Sequence, residues 1–246
     1  MNSVDLNCDL GEGFPSDALF YPFISSANIA CGYHAGDLDC ITTAIDFCIA
    51  HDVAIGAHPG FDDKENFGRK EIKLTAERLQ DLVMHEVLTV RFNAMKMGKK
   101  LHHVKLHGAM YNMAAKNKAM ALTIADAIHR VDSNLIMYGL SGSYLISEAK
   151  AIGLGTCSEA FADRTYQPDG SLTPRNQPNA LIVSAEASIR QVLQMVQHQT
   201  VTCVDGTVIP LVVETICLHG DGDQAVAFAQ QIYHTLKQYN IDIKAQ

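Results

Sequence analysis

Short apolar runs alternate with longer stretches of helical periodicity from one end of this 246-residue chain to the other. Strand-like runs fall at residues 4–7, 27–30, 53–57, 103–107, 135–138, 156–160 and 212–218. Between them, apolar residues recur at the spacing of a single helical face. One face runs Leu38, Ile41, Ile45, Cys48 and Ile49, with Asp37 in the N-cap position; a second runs Leu79, Leu82, Val83, Val87 and Val90; a third runs Phe228, Ile232, Leu236 and Tyr239. Strand and helix alternating about seven times predict parallel strands joined by right-handed crossovers, hence a closed β/α barrel or an open doubly wound sheet.

Two stretches break the rhythm. Residues 162–180 follow neither period but carry Asp163, Arg164, Tyr166 and Arg175, and an irregular segment of that length is more often a functional loop, such as a lid, than a passive connector. Residues 201–213, VTCVDGTVIPLVV, centre on Asp205-Gly206, a tight-turn pair, and Pro210 suits an edge strand. That segment reads as structural.

The strand ends decide between barrel and sheet. His34, His58, His107 and His219 each close an apolar run and are followed within two residues by glycine. The first run ends instead on acids: Asp5, Asn7 and Asp9 share one face at period two, and Glu12 follows between two glycines. In the fourth run Lys105 and His107 share a face, with Val104 and Leu106 on the other. Lysine is almost never buried unpaired, so Lys105 should enter a pocket, there to anchor an anion or, with its pKa lowered by burial, to move a proton. The last run sets Cys217, His219 and Asp221 on one face. Polar endings spread over five strands fit a barrel, whose strand ends share one mouth, better than an open sheet, where ligand contacts gather at a switch point. The expected fold is α/β, a seven-stranded TIM-like β/α barrel forming one domain over residues 1–246, its closure imperfect for want of an eighth strand. Plainer readings stay open: Asp5 or Asp9 as a turn cap, each histidine as a satisfied polar residue, Asp163-Arg164 and Arg175 as loop ion pairs.

Composition narrows the function classes. A net charge of −8, a pI near 5.7 and no basic run longer than Lys99-Lys100 argue against nucleic acid as a partner. The seven cysteines are scattered and form no CxxC pair, as expected of reduced thiols rather than a structural zinc site. The start, MNSVDLNCDL, has no signal-like basic and apolar regions, and no apolar run approaches about 18 residues, so a cytoplasmic protein without membrane partners is expected. Walker A, G-x-S-x-G and H-E-x-x-H patterns are absent, and GEGFPS and GLGTCS lack the last glycine of a dinucleotide loop.

Taken in order, VDLNCDLGEGF, SSANIACGYHAGD, AIGAHPGF with FGRK, VKLHGAMYN, SEAFADRTY, LTPR and ETICLHGD resemble the signature blocks of the LamB/YcsF family of 5-oxoprolinase A subunits, from Val4 to Asp221. Pro15, Tyr33, Leu38 and Leu106 depart from the family pattern without removing a reactive group. The resemblance implies a barrel of the glycoside hydrolase/deacetylase kind and ATP-dependent opening of 5-oxo-L-proline to L-glutamate with two further subunits, B and C. On that expectation Asp9, His34 or His58 activates water, while Lys105 and His107 stabilise the oxyanion or phosphate and protonate the ring nitrogen. Arg164 or Arg175 holds the substrate carboxylate. Asp5, Asn7, Glu12, Asn28, Glu159, Asp163, His219 and Asp221 complete the expected substrate surroundings. ATP is then a co-substrate handled with the partner subunits, and a divalent metal is an open question. Two other readings remain: a metal-dependent deacetylase or hydrolase with Asp9, His34 and His58 around the ion, and a non-catalytic subunit that binds a small acid.

Overall fold

A computed structural model of the chain describes residues 3–218 and 225–246. In chain order its strands are β1 (Ser3–Leu10), β2 (Ser26–Ala30), β3 (Ala54–His58), β4 (His103–Lys105), β5 (Ile136–Leu140), β6 (Gly155–Phe161), β7 (Thr200–Thr202), β8 (Val208–Pro210), β9 (Thr215–Leu218) and β10 (Asp242–Ile243). The helices are α1 (Leu38–His51), α2 (Ala76–Lys96), α3 (Gly108–Lys116), α4 (Lys118–Val131), α5 (Tyr144–Ala151), α6 (Ala185–His198) and α7 (Ala225–Gln238).

Strands β1 to β6 pair in sequence, all parallel, and β9 joins β6 to β1. The closure is complete, not imperfect as the strand count suggested. The β1–β9 ladder runs from Asp5↔Thr215 to Cys8↔Leu218, and β10 adds a short parallel strand beside the start of β1. The expected hairpin is present as antiparallel β7 and β8, with Thr200 opposite Pro210 and Gly206 at φ +86° in the turn.

Period two explains the barrel wall. Val4, Leu6, Cys8 and Leu10 are fully buried, as are Ala27, Ile29, Val104 and Ile216, and all belong to the one apolar core between barrel and helices. The opposite set, Asp5, Asn7, Asn28, His103, Lys105, Glu159 and Thr215, is equally buried but polar. The barrel interior is therefore polar through its depth and not only at the strand ends.

Capping fixes the helix starts. Asp37 accepts from Cys40 N at 2.9 Å, Thr75 caps α2, Asn117 caps α4 and Ser184 caps α6. Gly56 makes room inside the barrel: a Cβ there would lie 2.1 Å from His103 Nε2. Among the described residues no helix is long and apolar enough to cross a membrane.

Candidate active site

The interior side chains stack in levels. At the lower level the Asp5 carboxylate accepts from Ser25 and Ser26 through Oδ1 and from Thr215 through Oδ2 at 2.7 Å. Burial pushes the Asp5 carboxyl up, and the hydroxyl donors oppose that shift. Tyr138 stacks on His103 at 4.1 Å, and His103 Nε2 lies 2.8 Å from Asn28 Oδ1.

Lys105 occupies the middle. Its Nζ lies 2.9 Å from Asp9 Oδ1, 2.9 Å from Glu159 Oε1, 3.0 Å from Asn7 Oδ1 and 3.0 Å from Cys217 Sγ. Burial by itself would expel the ammonium proton, but Asp9, Cys217 and Glu159 more than reverse this and hold its pKa well above the usual lysine range. Of the two roles the sequence leaves open, the carboxylates at 2.9 Å and the raised pKa favour the anchored cation. Lys105 is a fixed cation. Glu159 is tied further by Asn7 Nδ2 at 3.0 Å and by the Tyr111 hydroxyl, which donates at 2.6 Å.

The upper level belongs to imidazoles. His58 ends β3, His107 precedes α3, and His34 follows β2. His58 Nδ1 lies 2.8 Å from the Lys105 carbonyl oxygen, His107 Nε2 lies 2.8 Å from that of Phe67, and the inner nitrogens, His58 Nε2 and His107 Nδ1, are 2.9 Å apart. His34 stacks on His107 at 3.9 Å with the rings 7° from parallel. Glu12 Oε1 lies 3.4 Å from His107 Nδ1, 3.6 Å from His34 Nε2 and 4.0 Å from His58 Nε2. Burial lowers the pKa of His107 to about 3 and that of His34 further still, so both rings are neutral near pH 7.

These four residues form a group that could hold a metal ion, with one donor atom from each lying within 4.8 Å of the others. Two members of the triad expected around an ion, His34 and His58, belong to this group, and Asp9 does not. Asp9 Oδ1 already accepts from Lys105 and Asn28, while Glu12 and His107 face the remaining imidazoles. Asp9 Oδ2 sits beside the cluster, 3.4 Å from His58 Nε2.

A cavity of about 550 Å³ opens above Lys105, with Asp9, Glu12 and His107 in its wall and Arg69, Lys116, Arg164 and Arg175 also lining it. Of the residues predicted to meet at one mouth, those that the structure describes lie together, with two exceptions. Asp5 is sealed at the lower level, and Asp163, on the 162–180 loop, is not part of the cavity wall. His219 and Asp221 lie outside the described residues. Arg164 lines the cavity, but its Nη2 donates to the Thr173 carbonyl at 2.6 Å and its Nε to that of Ala180 at 3.4 Å, so it braces the loop that carries exposed Arg175.

A family model described as LamB/YcsF matches residues 4–246. The chain belongs to the LamB/YcsF family. Its relatives include the 5-oxoprolinase A subunit of Shouchella clausii (strain KSM-K16), 48% identical over 250 residues and covering 100% of this chain and 99% of that one. The protein of the same name from Tolumonas auensis (strain DSM 9187 / NBRC 110442 / TA 4) is also 48% identical, with 100% of both chains covered. Among solved structures, the lactam utilization protein from Thermus thermophilus superposes with a TM-score of 0.93 at 35% identity, covering 99% of this chain and 100% of that one. The LamB/YcsF barrel is thus shared along its whole length.

Sequence reasoning missed three groups. His103 falls at the start of the fourth strand run, where the His-x-Lys-x-His alternation at residues 103–107 puts it on the inward face with Lys105 and His107. Tyr111 has no signal beyond its place three residues after Gly108. Glu86 is fully buried on α2 and falls on the apolar face of Leu79, Val83 and Val90, a position where a carboxylate is out of place.

Proposed function

We propose that this chain is the lactam-opening A subunit of an ATP-dependent 5-oxoprolinase, converting 5-oxo-L-proline to L-glutamate together with B and C subunits. The observation that carries this reading is 48% identity, along the whole of both chains, to relatives named as 5-oxoprolinase A subunits. The chemistry of the cavity supports it. A five-membered lactam is a poor electrophile, and transfer of the terminal phosphoryl group of ATP to the amide oxygen, releasing ADP, activates the ring carbon. This chain has no Walker A loop, so that transfer is assigned to the partner subunits. Water then adds to the ring carbon, and the C–N bond breaks as nitrogen takes a proton. The resulting acyl phosphate loses phosphate to a second water.

Asp9 is the interior carboxylate best placed to take the proton from water, with 15% of its side chain exposed to the cavity and His58 behind it. The Lys105 ammonium, in the cavity wall beside Asp9, stabilises the negative charge that develops on the adduct. Arg175, on the loop held by Arg164, meets the substrate carboxylate. The imidazole cluster favours one competing reading, a hydrolase that needs a metal ion but no ATP.

Co-expression with B and C subunits separates the two. The complex is expected to release ADP and form glutamate from 5-oxoproline, the chain alone to do neither, and Asp9→Asn to lower turnover by about 10²–10⁴-fold. Wild-type turnover by the Asp9→Asn complex, or ATP-independent hydrolysis by the chain alone, would sink the proposal.

A further inference from the structure

We infer that Glu12, His34, His58 and His107 bind one divalent transition-metal ion, with zinc the best match to the donor set. Hydrogen-bond geometry carries this, independently of the proposed reaction. A carbonyl oxygen only accepts, so His58 carries its hydrogen on Nδ1, facing Lys105 O, and His107 carries its hydrogen on Nε2, facing Phe67 O. This leaves the lone pairs of His58 Nε2 and His107 Nδ1 aimed at each other across 2.9 Å. Two lone pairs at that distance repel unless a cation lies between them. A ligating imidazole typically donates its outer N–H to a carbonyl or carboxylate, as both rings do here.

His34 supplies the second, independent observation. The residue is 1% exposed, yet neither of its ring nitrogens has a hydrogen-bond partner among the described residues. Buried imidazole nitrogens are rarely left so. His34 Nε2 lies 3.6 Å from Glu12 Oε1, which is 3.4 Å from His107 Nδ1. Ligands about 2.1 Å from a tetrahedral zinc stand about 3.4 Å from one another, so small side-chain rotations would seat an ion.

The surrounding backbone holds the rings. A Cβ on Gly60 would lie 2.9 Å from His34 Nδ1, and one on Gly68 would lie 2.9 Å from both His107 Cδ2 and His34 Cβ. Three imidazoles and one carboxylate select zinc, or a neighbour such as cobalt, over magnesium or calcium, which prefer all-oxygen shells. Glu12 and His107 border the cavity while His34 and His58 are not in its wall, so the four donors would close the shell of an ion at the cavity's edge.

The test strips the full-length protein with a chelator, dialyses it against zinc, cobalt or magnesium, and measures bound metal by mass spectrometry. The expected result is about one zinc or cobalt per chain, retained through desalting, with magnesium not retained. X-ray absorption of the wild-type zinc form should show nitrogen and oxygen ligands without sulfur, which excludes capture by the thiols. His34→Ala and His107→Ala should each weaken zinc binding by more than about a hundredfold, with folding checked by circular dichroism. A wild-type chain that retains no zinc or cobalt, a shell containing sulfur, or folded His34→Ala and His107→Ala variants binding zinc as tightly as wild type would each overturn the assignment.

Discussion

The two polar levels inside the barrel are built from similar residues and solve opposite problems. Below, Asp5 accepts three hydroxyl hydrogen bonds, Asn7 Nδ2 donates to Thr215 and Glu159, and Ser26 meets Tyr138. Above, two imidazoles turn lone pairs on each other and a third has no hydrogen-bond partner among the described residues. The lower level is closed by its own side chains and holds the strands in register. The upper level is left open, and buried polar groups are left open in native proteins chiefly where function needs them. Lys105 stands between the two, bonded to Asn7 on one side and Asp9 on the other.

Removing that link should have the largest effect. Lys105→Met leaves the buried Glu159 and the partly buried Asp9 without their cation, and breaking such a group from one side typically costs about 3–5 kcal/mol. Urea unfolding should show that loss, and the Lys105→Met/Glu159→Gln double variant should recover part of it. If the single variant is as stable as wild type, the two levels are not coupled through the ammonium.

The next comparison sets the levels against each other directly. Asp5→Ala strands the hydroxyls of Ser25, Ser26 and Thr215 and should cost about 2–3 kcal/mol. His34→Leu, of similar volume, removes two buried nitrogens that have no hydrogen-bond partner among the described residues and should leave the metal-free protein as stable as wild type or more so. Zinc at a hundred times its dissociation constant should stabilise wild type by about 2.7 kcal/mol and the His34→Leu variant by much less. Equal losses from Asp5→Ala and His34→Leu would erase the distinction between a closed and an open level.

A smaller effect probes the packing of the lower level. Gly56→Ala drives a methyl into the His103 ring and should cost about 1–3 kcal/mol by overpacking. Paired with His103→Ala, which vacates that space, the two costs should be less than additive in thermal unfolding.

Much of this was legible along the chain because β structure writes its faces at period two. Asp5, Asn7 and Asp9 announced an inward polar face, Lys105 with His107 announced another, and all seven barrel strands lie where the apolar runs put them. The hairpin followed from Asp205-Gly206, and the start of α1 from Asp37. What periodicity cannot carry is partnership across the barrel. Glu12 and Asp9 look interchangeable in VDLNCDLGEGF, yet only the three-dimensional arrangement puts Lys105 on one and three imidazoles around the other. Arg164 and Arg175 likewise look equivalent until the carbonyls of Thr173 and Ala180 take up the first.

Glu86 tests whether an open polar group outside the barrel behaves like those in the upper level. Its Oε2 accepts from Gly60 N at 3.2 Å, behind the His58 loop, while Oε1 has no hydrogen-bond partner among the described residues. Burial raises its pKa well above the ordinary value of 4.5. Below pH 4.5 the carboxyl is neutral in both folded and unfolded chains, and Glu86→Gln should differ from wild type by less than about 1.5 kcal/mol, as a near-isosteric swap. As pH rises past 4.5 the unfolded wild type ionises while the folded form keeps its proton, so wild-type stability falls until the folded carboxyl ionises too. The glutamine variant has no such proton to lose, and its advantage over wild type should grow across that interval and then level off. Urea midpoints at a series of pH values measure the difference, and parallel curves for the two proteins would mean that Glu86 is ionised and paired in the folded state.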